Sequence, residues 1–398
     1  MRFWWLFPFL SSIVGLFVSL WIVVPPPTFV LLTFSVGAAE LSPWLIVFNA
    51  IALLSAVTIP RSWLSNSILV LSAIALVLSS LPLLQLSVTN GKFAVEIKRV
   101  LGEDYLAKIP QSLQQQMRPQ PLAIADIFRG ISIPEVRIDR GIIFANPDGV
   151  DLKLNLYRPA AVGKKPTLII IYGGAWRSGS PDSYEQFSSY IAAQGYSVIS
   201  IDYRHAPKYK FPAQLKDVNT ALAYIRDNAD TLEVDLERMS IMGRSAGGHL
   251  ATLAAYQENA IPFRSVISYY SPVNLTEGYY NPPVPNPINS QEVLKNFLGG
   301  TPEQFPELYR QASPIHYPRP NLPPTLLVYG TKDNVIRVEF GQQMYNKLRS
   351  TDNPAIWLEI PWAEHAFDTV FFGVSNQLAL YYTERFLAFT LKSSISTN

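Results

Sequence analysis

The chain has no cysteine, so no disulfide can brace it, and cysteine usage assigns no compartment. Histidine is scarce, with four residues in 398. Charge is missing from one region above all: the first 91 residues hold three charged side chains, Arg2, Glu40 and Arg61. A soluble domain is not built that way, because charged residues normally cover its surface. The net charge of +2 is not gathered into a polybasic tract, which argues against nucleic acid as a partner. P-loop, dinucleotide fingerprint, metal-ligand cluster and internal repeat are also missing. No cofactor and no metal are expected.

What fills the charge-poor region is apolar. Phe3–Val24, Leu41–Ile59 and Asn66–Val88 are each long enough to span a bilayer, at ~1.5 Å per residue across ~30 Å of hydrocarbon. Trp4, Trp5, Trp21, Trp44 and Trp63 lie near the expected ends, where interfacial aromatics belong. Residues 1–90 therefore read as an all-α transmembrane module of about three spans, with two or four as alternatives. Thr28–Ala39 is ambiguous and is read as an extension of the second span. Glu40 has no visible basic partner and is assigned a packing or headgroup role. A cleaved leader is disfavoured, because the first apolar stretch is too long and further spans follow. Arg2 and Arg61 favour a C-terminal domain outside, whereas Lys92, Lys98 and Arg99 favour it inside. The sequence thus assigns an integral membrane protein without assigning a side. Residues 91–135 read as a helical connector, with Val95, Leu101, Tyr105 and Leu106 apolar among charges. It lies on the membrane surface or packs under the next domain.

The chemistry begins at Gly243-Arg244-Ser245-Ala246-Gly247, between the apolar run Met239–Met242 and a helix-like stretch from Gly248. Strand, sharp turn and helix are the context of a G-x-S-x-G nucleophile elbow. A serine hydroxyl needs a base to take its proton, and histidine titrates near neutrality. His365 alone among the histidines follows both the elbow and a candidate acid. That acid is Asp333, in the loop behind Thr325–Tyr329. The order Ser245, Asp333, His365 is nucleophile, acid, histidine. Leu168–Tyr172 runs into Gly173-Gly174-Ala175-Trp176, a turn whose backbone N–H groups can face an oxyanion. Gly174, Ala175 and Ala246 are the candidate oxyanion-hole residues. Each piece has a plainer reading: Ser245 as a helix N-cap, Asp333 as a turn cap, His365 as a loop residue. His205 and His249 read as structural, and His316 lies in a proline-rich excursion.

The segment order defines the architecture. Arg137–Ala145 and Leu152–Arg158 read as strands joined by the hairpin signal Asn146-Pro147-Asp148-Gly149. Apolar strands then alternate with helices, implying a mostly parallel sheet covered on both faces. Residues 136–398 form this domain. Residues 272–324, rich in proline, asparagine and tyrosine, interrupt it and read as a cap insertion over the site, against the alternative of a surface excursion.

These residues resemble the α/β-hydrolase superfamily, and within it the hormone-sensitive-lipase-like and feruloyl-esterase-like carboxylesterases, over roughly Arg137–Lys392. Tyr172-Gly173-Gly174-Ala175-Trp176 is similar to the oxyanion motif H-G-G-G/A-W. Asp202-Tyr203-Arg204-His205-Ala206-Pro207 followed by Phe211-Pro212-Ala213 resembles D-Y-R-x-A-P…F-P-A. Gly243–Ala251 is similar to the elbow G-x-S-A-G-G-x-L-A. Tyr172 departs from the pattern, where the family's histidine helps to brace the oxyanion turn. The resemblance implies an α/β-hydrolase fold and a serine carboxylesterase. With the N-terminal module, the expectation is a membrane-anchored enzyme acting on apolar or lipid-like esters. Its expected partners are an ester substrate and membrane lipids; oligomeric state is not readable. The alternatives are an acyltransferase or peptidase with the same triad, or a silent scaffold or receptor.

Overall fold

The computed structural model describes Trp5–Lys392; Arg2, Phe3 and Trp4, at the start of the first expected span, lie outside the described residues. Eight strands form one sheet: β1 (Arg137–Ala145), β2 (Leu152–Arg158), β3 (Lys165–Ile171), β4 (Ser197–Ile201), β5 (Val234–Arg244), β6 (Ser265–Tyr269), β7 (Thr325–Gly330) and β8 (Ala355–Ile360). Their spatial order is β1-β2-β4-β3-β5-β6-β7-β8. β2 pairs antiparallel with both β1 and β4, and every later pairing is parallel. The central strands are continuous apolar runs because helices cover both faces. Ile169, Ile170, Ile241, Val266, Ile267 and Leu326 are fully buried. At about 25 cal/mol per Å² of apolar surface removed from water, such positions dominate the domain's stability.

Four N-terminal helices precede the sheet: α1 (Leu6–Leu20), α2 (Phe29–Glu40), α3 (Ser42–Val57) and α4 (Trp63–Leu101). α1, α3 and α4 pack together as a bundle whose polarity is inverted. Its interior holds Ser12, Ser19, Asn49, Ser72 and Ser79. Asn49 donates to Ser19 Oγ at 3.1 Å and Ser79 Oγ at 3.2 Å, which ties all three helices. Phe7, Leu10, Ile51, Leu54, Val70, Val77 and Leu84 face outward. Small and polar residues inside with apolar ones outside is the pattern of helices packed in lipid.

The sequence reading expects about three spans, with two or four as alternatives. Among the described residues α4 alone is long and apolar enough to cross a bilayer, or two segments qualify if α2 and α3 count as one broken span. α1 has 15 residues. The chain bends by 83° between α2 and α3, so α2 extends the second span only as one arm of a broken span. Glu40 lies at the break. Its Oε2 accepts from Ser375 N at 2.8 Å and Asn376 N at 3.4 Å, in the first turn of the C-terminal helix Val374–Lys392. Those are orphan N–H groups at a helix N-terminus, and the Glu40 oxygen satisfies them. Glu40 is therefore a cap that docks the N-terminal module onto the sheet domain, rather than a headgroup contact.

α4 runs unbroken across residue 91, where the sequence places the start of a connector. Its 39 residues carry the chain out of the bundle and onto the edge strand β8. Phe93, Ile97 and Leu101 are buried there, and Glu96 Oε1 accepts from Trp357 N at 3.2 Å. An otherwise open sheet edge is thereby covered. The rest of the connector packs under the sheet domain: Tyr105 meets Phe389, and Arg118 N donates to Glu384 Oε2 at 2.8 Å.

Candidate active site

β5 delivers Ser245 to a strained turn. Ser245 has φ 51 and ψ −124, a conformation that is unfavourable for a residue with a side chain. The neighbouring backbones over-determine it. A Cβ at Gly247 would lie 2.1 Å from Ile171 O and 2.4 Å from Tyr172 O, so only glycine lets the elbow press against the end of β3. The helix Ala246–Tyr256 starts directly after the serine, and Ala246 N–H is among its orphan donors.

The structure brings the three candidate residues together. His365 Nε2 lies 3.0 Å from Ser245 Oγ, and His365 Nδ1 lies 2.8 Å from Asp333 Oδ2. Asp333 combines both readings of its role. Its Oδ1 accepts from Val335 N at 2.8 Å and Ile336 N at 2.7 Å, while Oδ2 remains for the imidazole. The loop after β7 thus fixes the carboxylate before it meets the ring. Asp333 is buried and His365 nearly so. Tyr270 packs edge-on against the ring at 4.7 Å and holds its plane. In such a chain a carboxylate sets the tautomer, and the imidazole can take the serine proton.

Glu364, next to the histidine, was not singled out by sequence. It is buried, and its Oε1 accepts from Asn334 N at 2.6 Å and His365 N at 2.9 Å. Burial, then the nearby Asp333 charge, pushes its carboxyl up to about 7. It pins the Asp333 loop to the His365 loop.

The candidate oxyanion residues flank Ser245. Gly174, Ala175 and Trp176 form a turn in which Ala175 (φ 53) and Trp176 (φ 57) are left-handed. The turn closes through Arg177 N to Gly174 O at 3.0 Å. Ala175, Ala246 and Ser245 line one cavity, and Gly174, Ala175, Ser245 and His365 line another.

Tyr172 lies beneath this turn, fully buried and stacked on Tyr203 with ring centres 4.6 Å apart. Its hydroxyl donates to Asp202 Oδ1 and lies 2.9 Å from His205 Nε2. A phenol has one proton, so His205 Nε2–H is the donor in that second bond. Burial raises the Tyr172 phenol far above its ordinary value, with Tyr203 and Asp202 adding to the effect. Burial also lowers His205, which keeps it neutral. A Cβ at Gly179 would lie 2.4 Å from the Tyr172 ring, so the far end of the turn rests on that ring. The tyrosine braces the turn from below, and His205 belongs to that brace.

The other histidines also find places. His249 is fully buried: Trp176 Nε1 donates to its Nδ1 at 3.2 Å, and its Nε2 lies 2.6 Å from Ala312 O. Burial lowers it to about 4. It joins the oxyanion turn, the elbow helix and the 272–324 insertion. His316 lines neither cavity at Ser245.

Sequence reasoning missed two further features. Arg244 is fully buried and pairs with Asp368, over the rings of Tyr184 at 4.1 Å and Phe187 at 4.3 Å. An arginine at the end of an apolar strand was the available signal, because a buried charge demands a partner. The second is α2. Leu32, Thr33 and Val36 line the same cavity as Ser245 and His365.

Comparison with known proteins decides the fold. A family model described as BD-FAE matches residues 154–348. Esterase LipC of Mycobacterium tuberculosis is 35% identical over 215 residues, covering 51% of this chain and 53% of that protein. Arylacetamide deacetylase of Bos taurus is 40% identical over 126 residues, covering 30% and 32%. A structure titled Bacterial Heroin Esterase superposes with a TM-score of 0.58 at 24% identity, over 68% of this chain and 89% of that one. A hyperthermophilic esterase from the archaeon Pyrobaculum calidifontis gives 0.55 at 24%, over 71% and 98%. The sheet domain has the α/β-hydrolase fold. The chain spans about half the length of the curated relatives LipC, LipM and LipQ. The hydrolase domain carries all of the site except the α2 wall.

Proposed function

We propose that this chain is a membrane-anchored serine carboxylesterase. The observation that carries the reading is the hydrogen-bonded chain Asp333–His365–Ser245, at 2.8 and 3.0 Å, where two apolar cavities meet. Ser245 Oγ attacks the ester carbonyl as His365 Nε2 takes its proton. The oxyanion is held by N–H groups of Gly174, Ala175 and Ala246. Each such donor contributes on the order of 3 kcal/mol to the transition state. His365 then returns the proton to the departing alcohol oxygen, leaving an acyl-serine. Water adds to the acyl carbon by the same route, and the carboxylic acid leaves. Asp333 holds the ring and offsets its charge. Esterase relatives and neighbours support the reaction class.

The inverted bundle and the long apolar α4 support the anchor. The 272–324 insertion acts as a cap, since its Leu275, Val293 and Leu294 line one cavity together with Ser245. The full chain in membranes should react with a fluorophosphonate and cleave p-nitrophenyl acetate. Ser245→Ala and His365→Ala should abolish both, with cleavage falling on the order of 10⁴-fold or more. Labelling retained in Ser245→Ala, or none in the well-folded parent, contradicts the reading.

A further inference from the structure

We propose that α2 is a wall of the alcohol subsite, and that the substrate joins a short acyl group to a long apolar alcohol. The inference rests on the serine-hydrolase reading and deepens it. The two cavities at Ser245 differ in size and in what builds them. One, about 50 Å³, is enclosed by Trp176, Leu275, Val293, Leu294 and Phe340. The other, about 490 Å³, is bounded by Leu32, Thr33 and Val36 of α2, by Val370 and by His365.

The chemistry assigns a side to each half of the ester. The leaving oxygen must receive its proton from His365 Nε2, so the alcohol lies where His365 lies. His365 lines the large cavity and is not among the residues lining the small one. The acyl group therefore enters the small cavity. That cavity is about a tenth the size of the other, so it suits a short acyl chain. The large cavity takes a much bigger apolar group.

α2 is built to stay in place. Its C-terminal Glu40 caps the helix Val374–Lys392, and the buried Ser35 donates to Trp21 O at 2.8 Å. Its other side continues the outward apolar surface of the bundle: Phe29 is 62% exposed and Val30 64%. Phe29 also lines the large cavity, so one helix connects the catalytic cleft to the lipid-facing surface. A long alkyl or isoprenoid alcohol can lie along that helix without crossing water, with its ester oxygen beside His365.

Octyl acetate and ethyl octanoate test this, because they are isomers that place the long chain on opposite sides of the ester. With the full chain in detergent micelles, kcat/KM should favour octyl acetate by about tenfold or more. Val36→Trp should cut that preference at least about tenfold, and Val30→Trp, on the outward face, should leave it as in the parent. Each variant is first titrated with a fluorophosphonate, so rates refer to active serine. If Val36→Trp does not label, Phe29→Ala at the exposed rim should lower the preference about threefold. Equal rates for the two isomers, a preference for ethyl octanoate, or a preference unmoved by both Val36→Trp and Phe29→Ala overturns the proposal. Loss of the hydrolase reading would look different: neither isomer cleaved and no label on the parent.

Discussion

The N-terminal bundle and the hydrolase domain solve the same packing problem with opposite polarity. In the hydrolase domain isoleucine and valine of the strands are buried between the covering helices. In the bundle, serines and Asn49 are inside while leucine, valine and phenylalanine face out. Aliphatic content does not separate these regimes, since both are rich in aliphatics, whereas charge is scarce only in the N-terminal region. The direction in which those aliphatics point separates them as well. The lesson of the contrast lies at the seam. α2 belongs to the bundle by chain position, yet its inner face serves the hydrolase cleft and its outer face serves the bundle surface.

The contrast can be broken most forcefully at the site. Asp333→Asn keeps the shape but removes the charge that sets the His365 tautomer. Turnover of p-nitrophenyl acetate should fall by roughly 10³–10⁴-fold, with fluorophosphonate labelling slowed in parallel. In the bundle, Val77→Arg places a cation on the outward face of α4, where Val77 is 61% exposed. A surface facing water would accept it. A surface facing lipid charges about 3 kcal/mol for it, read as protein lost from the carbonate-washed membrane pellet.

Smaller effects sharpen the hydrolase half. His249 is held at about 4 in the fold, against an ordinary value of 6.5. Between those values the unfolded chain binds the extra proton. The stabilising contribution is therefore complete above pH 6.5 and is lost as pH falls towards 4, by about 3 kcal/mol. In thermal melts of the full chain Glu364, whose carboxyl is raised to about 7, works in the opposite sense over this window, and His249 adds a downward slope on acidification. His249→Gln, which can still accept from Trp176 and donate to Ala312 O, should flatten that slope. Tyr172→Phe deprives Asp202 and His205 of their shared hydroxyl. A cost of about 1–3 kcal/mol in stability is expected, with about a tenfold loss of kcat from a loosened oxyanion turn. Tyr172→His, which offers Asp202 a ring N–H, should recover part of the activity.

Much of the hydrolase domain is legible in its sequence because chemistry restricts the residue types. The proposed triad of Ser245, Asp333 and His365 draws on few residue types in a recognisable order, and the apolar run Leu168–Ile171 lies in the covered strand β3. Tyr172 is harder. Its brace needs Asp202 and His205 about 30 residues onward, and nothing local announces the pairing. Arg244 and Asp368 are 124 residues apart and meet only in three dimensions. The bundle was least legible. Thr28–Ala39 is apolar enough to read as part of a span, and hydropathy does not register an 83° bend. At the break Glu40 meets a helix terminus 335 residues later, a contact that only the fold supplies.

The central claim joins the two regions: a nucleophilic serine held in a chain that stays in the bilayer. The most direct measurement is mass-spectrometric mapping of the fluorophosphonate adduct in carbonate-washed membranes expressing the full chain. The account predicts a single adduct on Ser245, in the pellet, and absent from Ser245→Ala. An adduct on another residue, or labelled protein released to the supernatant, would contradict it.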